Sequence, residues 1–149
     1  MSFRGNLADS GPALLAASDC AVAERIDAVC QLVVHGKLAA RQLATWLSGV
    51  EINEPEFRLM WLLAGAARFA TDGGISIDQS GLAARLAVSA AQVSGAVERL
   101  RSVGLLERAA DASDRRRQLW RVTVAGEQML RGIVERAAAA AAERRGAAA

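Results

Sequence analysis

Three consecutive arginines, Arg115, Arg116 and Arg117, follow Asp114 in the stretch AADASDRRR. This stretch cannot bury itself, and it separates two runs of strand-like character, so it reads as a hairpin tip. A guanidinium is planar, always charged and rich in N–H donors that fit phosphate or carboxylate oxygens. Three of them at a turn project into solvent or onto an anionic partner. A second group lies upstream, where Ser89, Ala90, Ala91, Gln92, Ser94, Gly95 and Arg99 fall away from an apolar repeat of Val93, Ala96, Val97 and Leu100. Hydroxyl and amide groups can donate or accept at phosphates and base edges, and alanine methyls can touch thymine methyls. A helix that is small and polar at its N-terminal end can sit deep in a major groove. Double-stranded DNA is therefore the candidate partner. The competing reading is that these residues form the surface of a protein-binding module.

The elements that must position these residues can be read locally. Asp78 is a suitable N-cap for a short helix in which Leu82 and Leu86 share a face with Ala83. Ala87-Val88 leads into a tight turn. Ser89 caps a second helix, with Gln92 in the capping-box place, and Gly104 ends it as a left-handed residue would. The period then changes from 3.6 to 2. Leu105–Arg108 and Gln118–Val122 are the two runs that flank the arginine tip, and Ile75-Ser76-Ile77 could pair with them as a short edge strand. Two helices, a tight turn and a two-stranded wing describe a winged helix-turn-helix.

The flanking segments read as supports. Residues 1–17 form a flexible N-terminal segment. Residues 18–52 form a long helix, starting at Ser18 or Asp19 and ending at Gly49, in which Ile26, Val29, Cys30, Val33, Val34, Ala40, Leu43 and Leu47 recur at three- and four-residue steps. That apolar surface exceeds what one face of so small a monomer needs, which implies a second subunit. Gly36 inside it implies a close helix contact or a kink. Residues 53–123 form the winged helix-turn-helix. They begin with a helix capped by Asn53 and Glu56 with Pro55 in its first turn, whose inner side is Phe57, Met60, Trp61, Leu63 and Ala64. Thr71–Gly74 is a turn. Residues 124–149 form a last helix capped by Thr123, with Met129, Leu130, Ile133 and Val134 as its apolar face and an alanine-rich tail expected to fray near Gly146. The fold class is mainly α with a small antiparallel β-wing, a winged helix-turn-helix plus long N- and C-terminal dimerisation helices.

At 149 residues and 52% hydrophobic composition, the chain can build one core with a helical annex. Its net charge is only +2, but residues 85–121 hold eight arginines against four acids, so positive charge concentrates where the helix and hairpin lie. No apolar run reaches membrane-spanning length, and no secretory leader is legible, so a cytoplasmic location is expected. Cys20 and Cys30 fit no metal motif and are expected as reduced thiols. A single histidine, His35, with no acidic partner at ligand spacing argues against a metal. There is no Ser-His-Asp set, no phosphate-binding glycine loop and no implied cofactor, so an enzyme is not expected.

From about residue 25 to 136 the chain resembles a MarR-type transcriptional regulator. The motifs that carry the resemblance are DQSGLAARLAVS, VSGAVERLRSVGLLER, DASDRRR and VTVAG, in that order. The resemblance implies a homodimer on a pseudo-palindromic operator, commonly a repressor relieved by a small molecule or by oxidation. It implies that Asp114 orients Arg116 in the minor groove and that Arg115 and Arg117 contact phosphates. By analogy with the family, His35, Trp46, Phe57 and Trp61 could line a pocket for a small aromatic effector. Peroxide-sensing members carry a reactive cysteine about 25 residues before the proline of the second helix. Cys30 stands in that place relative to Pro55, although the tyrosines that accompany it in those sensors are missing here. Two more departures stand out. Gly95 occupies a position where the family often has arginine or lysine, so base reading would rest more on the wing. Only 26 residues follow Thr123, too few for the two C-terminal helices usual in the family.

Overall fold

A computed structural model of the chain describes residues 17–69, 79–109 and 119–147. Its elements are α1 (Ala17–Trp46), α2 (Glu54–Phe69), α3 (Gln79–Leu86), α4 (Ala90–Ser102), β1 (Leu106–Ala109), β2 (Leu119–Val122) and α5 (Val124–Ala147). The chain divides into two compact units, Met1–Gln42 and Leu43–Ala149. The expected turn at Thr71–Gly74, the strand at Ile75–Ile77, the Asp78 cap, Gln118 and the segment before Ala17 lie outside the described residues.

The first unit is carried by α1. At about 1.5 Å per residue, the 30 residues of this helix span roughly 45 Å. Val22, Ile26, Val29, Leu32, Val33, Val34 and Leu38 are each more than half exposed. The helix runs unbroken through Gly36, where an added Cβ would meet nothing within 4 Å. No contact or kink among the described residues accounts for that glycine.

The second unit is built around α2, which packs against α3, α4, α5 and β2. Leu59, Met60, Leu82 and Leu100 are completely buried at its centre, with Val93, Val97, Leu106 and Ile133 nearly so. Burying such side chains contributes on the order of 1.5–3 kcal/mol each relative to leaving them in water. The two strands pair antiparallel, with Leu106 opposite Val122, Arg108 opposite Trp120 and Ala109 opposite Leu119.

Two expectations need correction. Trp61, expected on the inner side of α2, is 48% exposed and stacks on Phe57 at 5.9 Å between ring centroids. At 100° per residue, the stripe set by Glu56, Leu59, Met60 and Leu63 leaves position 61 outside it. Leu59, absent from the expected inner side, is part of that stripe. Val134, expected on the inner face of α5, is 45% exposed, because Leu130 and Ile133 supply the buried stripe. The alanine tract of α5 stays helical to Ala147, Gly146 included.

Candidate nucleic-acid interface

Local bonds define the helix pair. Arg58 of α2 donates from Nη2 to the Leu86 carbonyl at 2.9 Å and pairs through Nη1 with Glu54 at 3.1 Å. It thereby caps the carbonyl end of α3. The Val88 N–H reaches the Ala83 carbonyl and the Ala87 N–H the Ala84 carbonyl, with Ala87 at φ 54°. This is the left-handed helix stop that glycine usually serves. Gly104 at φ 77° makes the same stop after α4, with the Leu105 N–H on the Leu100 carbonyl and the Gly104 N–H on that of Arg101.

The start of α4 closes in a full capping box. The Gln92 N–H donates to Ser89 Oγ at 3.2 Å, and the Ser89 N–H donates to Gln92 Oε1 at 2.9 Å. The box uses the Gln92 carbonyl oxygen and leaves its amide NH2 outside the bond. Ser89, Ala90, Ala91, Gln92, Ser94, Gly95 and Glu98 are all exposed, while Val93, Val97 and Leu100 face the core. Around Gly95 an added Cβ would meet nothing within 4 Å, so the chain's own packing does not require glycine there.

Charge is arranged differently in space than along the sequence. Arg101 grips Glu98 through Nη2 at 2.6 Å and Nε at 3.2 Å, and this hydrogen bonding holds the Glu98 carboxyl below its usual range. Arg121 pairs with Glu107 across the strands, Nη2 to Oε1 at 2.5 Å. The Arg108 guanidinium lies 5.5 Å from the Trp120 ring centroid, a cation–π contact between the two paired strands. Trp120 Nε1 is buried without a hydrogen-bond partner among the described residues.

Arg99, expected among the DNA-contacting residues, is bonded to two acceptors within the chain. Its Nη1 donates to Glu56 Oε2 and its Nη2 to the Glu51 carbonyl at 2.7 Å. The hydrogen bond to Glu56 raises the Arg99 pKa above the ordinary arginine value. Both terminal nitrogens are thus engaged within the protein. Sequence reading missed this because the capping box already accounts for Glu56, and Arg99 lies 43 residues further on.

Asp114, Arg115, Arg116 and Arg117 lie outside the described residues. Trp46 and Phe57 are half-buried against the core of the second unit, and His35 and Cys30 are exposed on α1 in the first. Among the described residues no group of three or more His, Cys, Asp or Glu side chains could hold a metal ion. None of the described helices is long and apolar enough to cross a membrane.

A helix pair closed by a tight turn and followed by a two-stranded antiparallel hairpin defines a winged helix-turn-helix. Residues 51–117 match the model of the MarR family. The fold is that of MarR-family transcriptional regulators. A MarR-family transcriptional regulator from Rhodococcus sp. RHA1 superposes with a TM-score of 0.62 at 22% identity, covering 80% of each chain. CouR from Rhodococcus jostii RHA1, bound to p-coumaroyl-CoA, gives 0.61 at 24% identity over 74% of this chain and 72% of its own. A single-residue mutant of S. aureus MepR, bound to an oligodeoxyribonucleotide, gives 0.54 at 19% identity over 74% of each chain. No curated protein sequence matches this chain.

Proposed function

We propose that the protein is a cytoplasmic, homodimeric DNA-binding transcriptional repressor of the MarR type. In this reading α4 enters the major groove, Arg116 enters the minor groove, and a small aromatic ligand relieves binding. The carrying observation is the exposed face of α4. It is small, polar and uncharged over its first turns, it is rigidly capped by Ser89 and Gln92, and its core side is fully buried. Such a face can approach base edges without displacing its own packing. The oligonucleotide complex of MepR supports the DNA partner, and the p-coumaroyl-CoA complex of CouR supports an aromatic ligand class. The stacked pair Phe57–Trp61, with Trp61 half exposed, offers an aromatic surface for such a ligand. The uncovered apolar residues of α1 support a second copy of the chain as partner.

The test is fluorescence anisotropy on duplex DNA flanking the protein's own gene, with salt varied. Arg116→Ala should weaken binding at least about tenfold and make the salt slope shallower by about one. Unchanged affinity and slope would remove the wing from the interface. Failure of the wild-type dimer to retain any duplex would favour a protein-interaction module.

A further inference from the structure

We propose that Arg99 is a positioning residue of the DNA-reading helix and that Glu56 holds it off the phosphate backbone. This rests on the DNA-binding reading above. Gln92, Gly95 and Arg99 are spaced three and four apart and form one stripe along α4. A free guanidinium at the end of that stripe would add a sequence-blind phosphate contact. The structure gives it two other acceptors. Nη1 donates to Glu56 Oε2, which also accepts the Asn53 N–H at 2.9 Å, and Nη2 donates to the Glu51 carbonyl at 2.7 Å.

Those acceptors bracket the turn that opens α2. Glu56 is 2% exposed, so its carboxylate is a buried charge that needs a partner, whereas the Arg99 side chain is about half exposed. One planar guanidinium therefore clamps the C-terminal half of α4 onto the first turn of α2. A lysine ammonium, a point donor on a flexible stem, does not reproduce a two-pronged grip of fixed geometry. Arg58 makes the companion tie, from α2 to the carbonyl end of α3. The two helices of the reading unit are thus both tied to the N-terminal end of α2, within its first two turns, which sets the angle at which α4 is presented. Base reading depends on that angle far more than phosphate attraction does.

The test uses the full-length protein and two duplexes: one that the wild type selects from a random-sequence pool, and one scrambled to the same composition. Binding is measured by anisotropy between about 50 and 200 mM salt, the range over which phosphate contacts register. Arg99→Ala and the milder Arg99→Lys should each lower the selected-to-scrambled affinity ratio by at least about fivefold. The salt slope on scrambled DNA should stay at the wild-type value. Glu56→Gln keeps an acceptor for the Asn53 N–H but releases Arg99, so scrambled DNA should bind more tightly with a slope steeper by about one. Adding Arg99→Ala to Glu56→Gln should return that slope to wild type. Thermal melts confirm that each variant is folded, and Arg99→Lys carries the test if the others are not. An equal loss on both duplexes with a shallower slope would make Arg99 a phosphate contact and overturn the proposal, as would an unchanged ratio. If the wild type enriches no sequence, the DNA reading itself fails, and that result comes from the wild type alone.

Discussion

Gly126, in the first turn of α5, lies so close to Leu105 that an added Cβ would stand 2.6 Å from the Leu105 carbonyl oxygen. The same atom would be 2.6 Å from Val122 Cγ1 and 3.1 Å from Met60 Cε. Leu105 is held in place by the stop of α4, and its carbonyl accepts the Thr123 N–H at 3.0 Å. Thr123 Oγ1 in turn donates to the Gly104 carbonyl at 2.7 Å and accepts the Gly126 N–H at 3.1 Å. The end of α4, the base of the hairpin and the start of α5 therefore meet at one point with no spare volume. Gly126→Ala should force these backbones apart and cost about 1–3 kcal/mol. Chemical denaturation should show a lower midpoint, and a midpoint equal to wild type would mean the junction yields freely.

Ala87 takes a left-handed backbone that L-residues with a Cβ disfavour, while Gly104 does the same at the end of α4 without that cost. Ala87→Gly should therefore stabilise the protein by about 1 kcal/mol. A rise in thermal midpoint checks it, and a fall would show that the turn is not strained by its Cβ.

Gly95 sits in the interior of α4 with open space around its Cβ position. Helix propensity alone predicts that Gly95→Ala stabilises by about 1 kcal/mol. On the proposed DNA partner the same methyl would stand at the groove, so selected-duplex affinity should fall while stability rises. Affinity that rises in step with stability would place this part of α4 away from the bases.

The apolar residues of α1 predict the assembly state. Val33 is 52% exposed. Val33→Asp should leave the melting of the second unit intact and lower the mass measured by light scattering from that of a dimer to that of a monomer. A dimeric mass for the variant, at concentrations where the wild type is dimeric, would move the interface elsewhere.

The local elements were legible because the bonds that define them close within a few residues. Both capping boxes, Asn53 with Glu56 and Ser89 with Gln92, need only a polar side chain and a partner three positions on. The stop at Gly104 needs only a residue that accepts positive φ. The switch from a period of 3.6 to one of 2 announced the two strands, and the three- and four-residue apolar repeat announced α1, on which Val29, Val33 and Val34 are exposed.

What only the tertiary structure decided is which side chains meet across elements. The same repeat that marked α2 as amphipathic could not say whether Trp61 or Leu59 faces inward, because that depends on the neighbours that close over the helix. A count of charge from residue 85 to 121 does not show that Arg99 pairs with an acid on another helix. Its acid lies 43 residues earlier, on a helix whose crossing with α4 is set by Leu59, Met60, Val97 and Leu100 packing together. Hydrogen bonds between i and i+3 follow from covalent geometry, and sequence spacing determines them; a salt bridge between two helices exists only once the core has fixed the distance and angle between them.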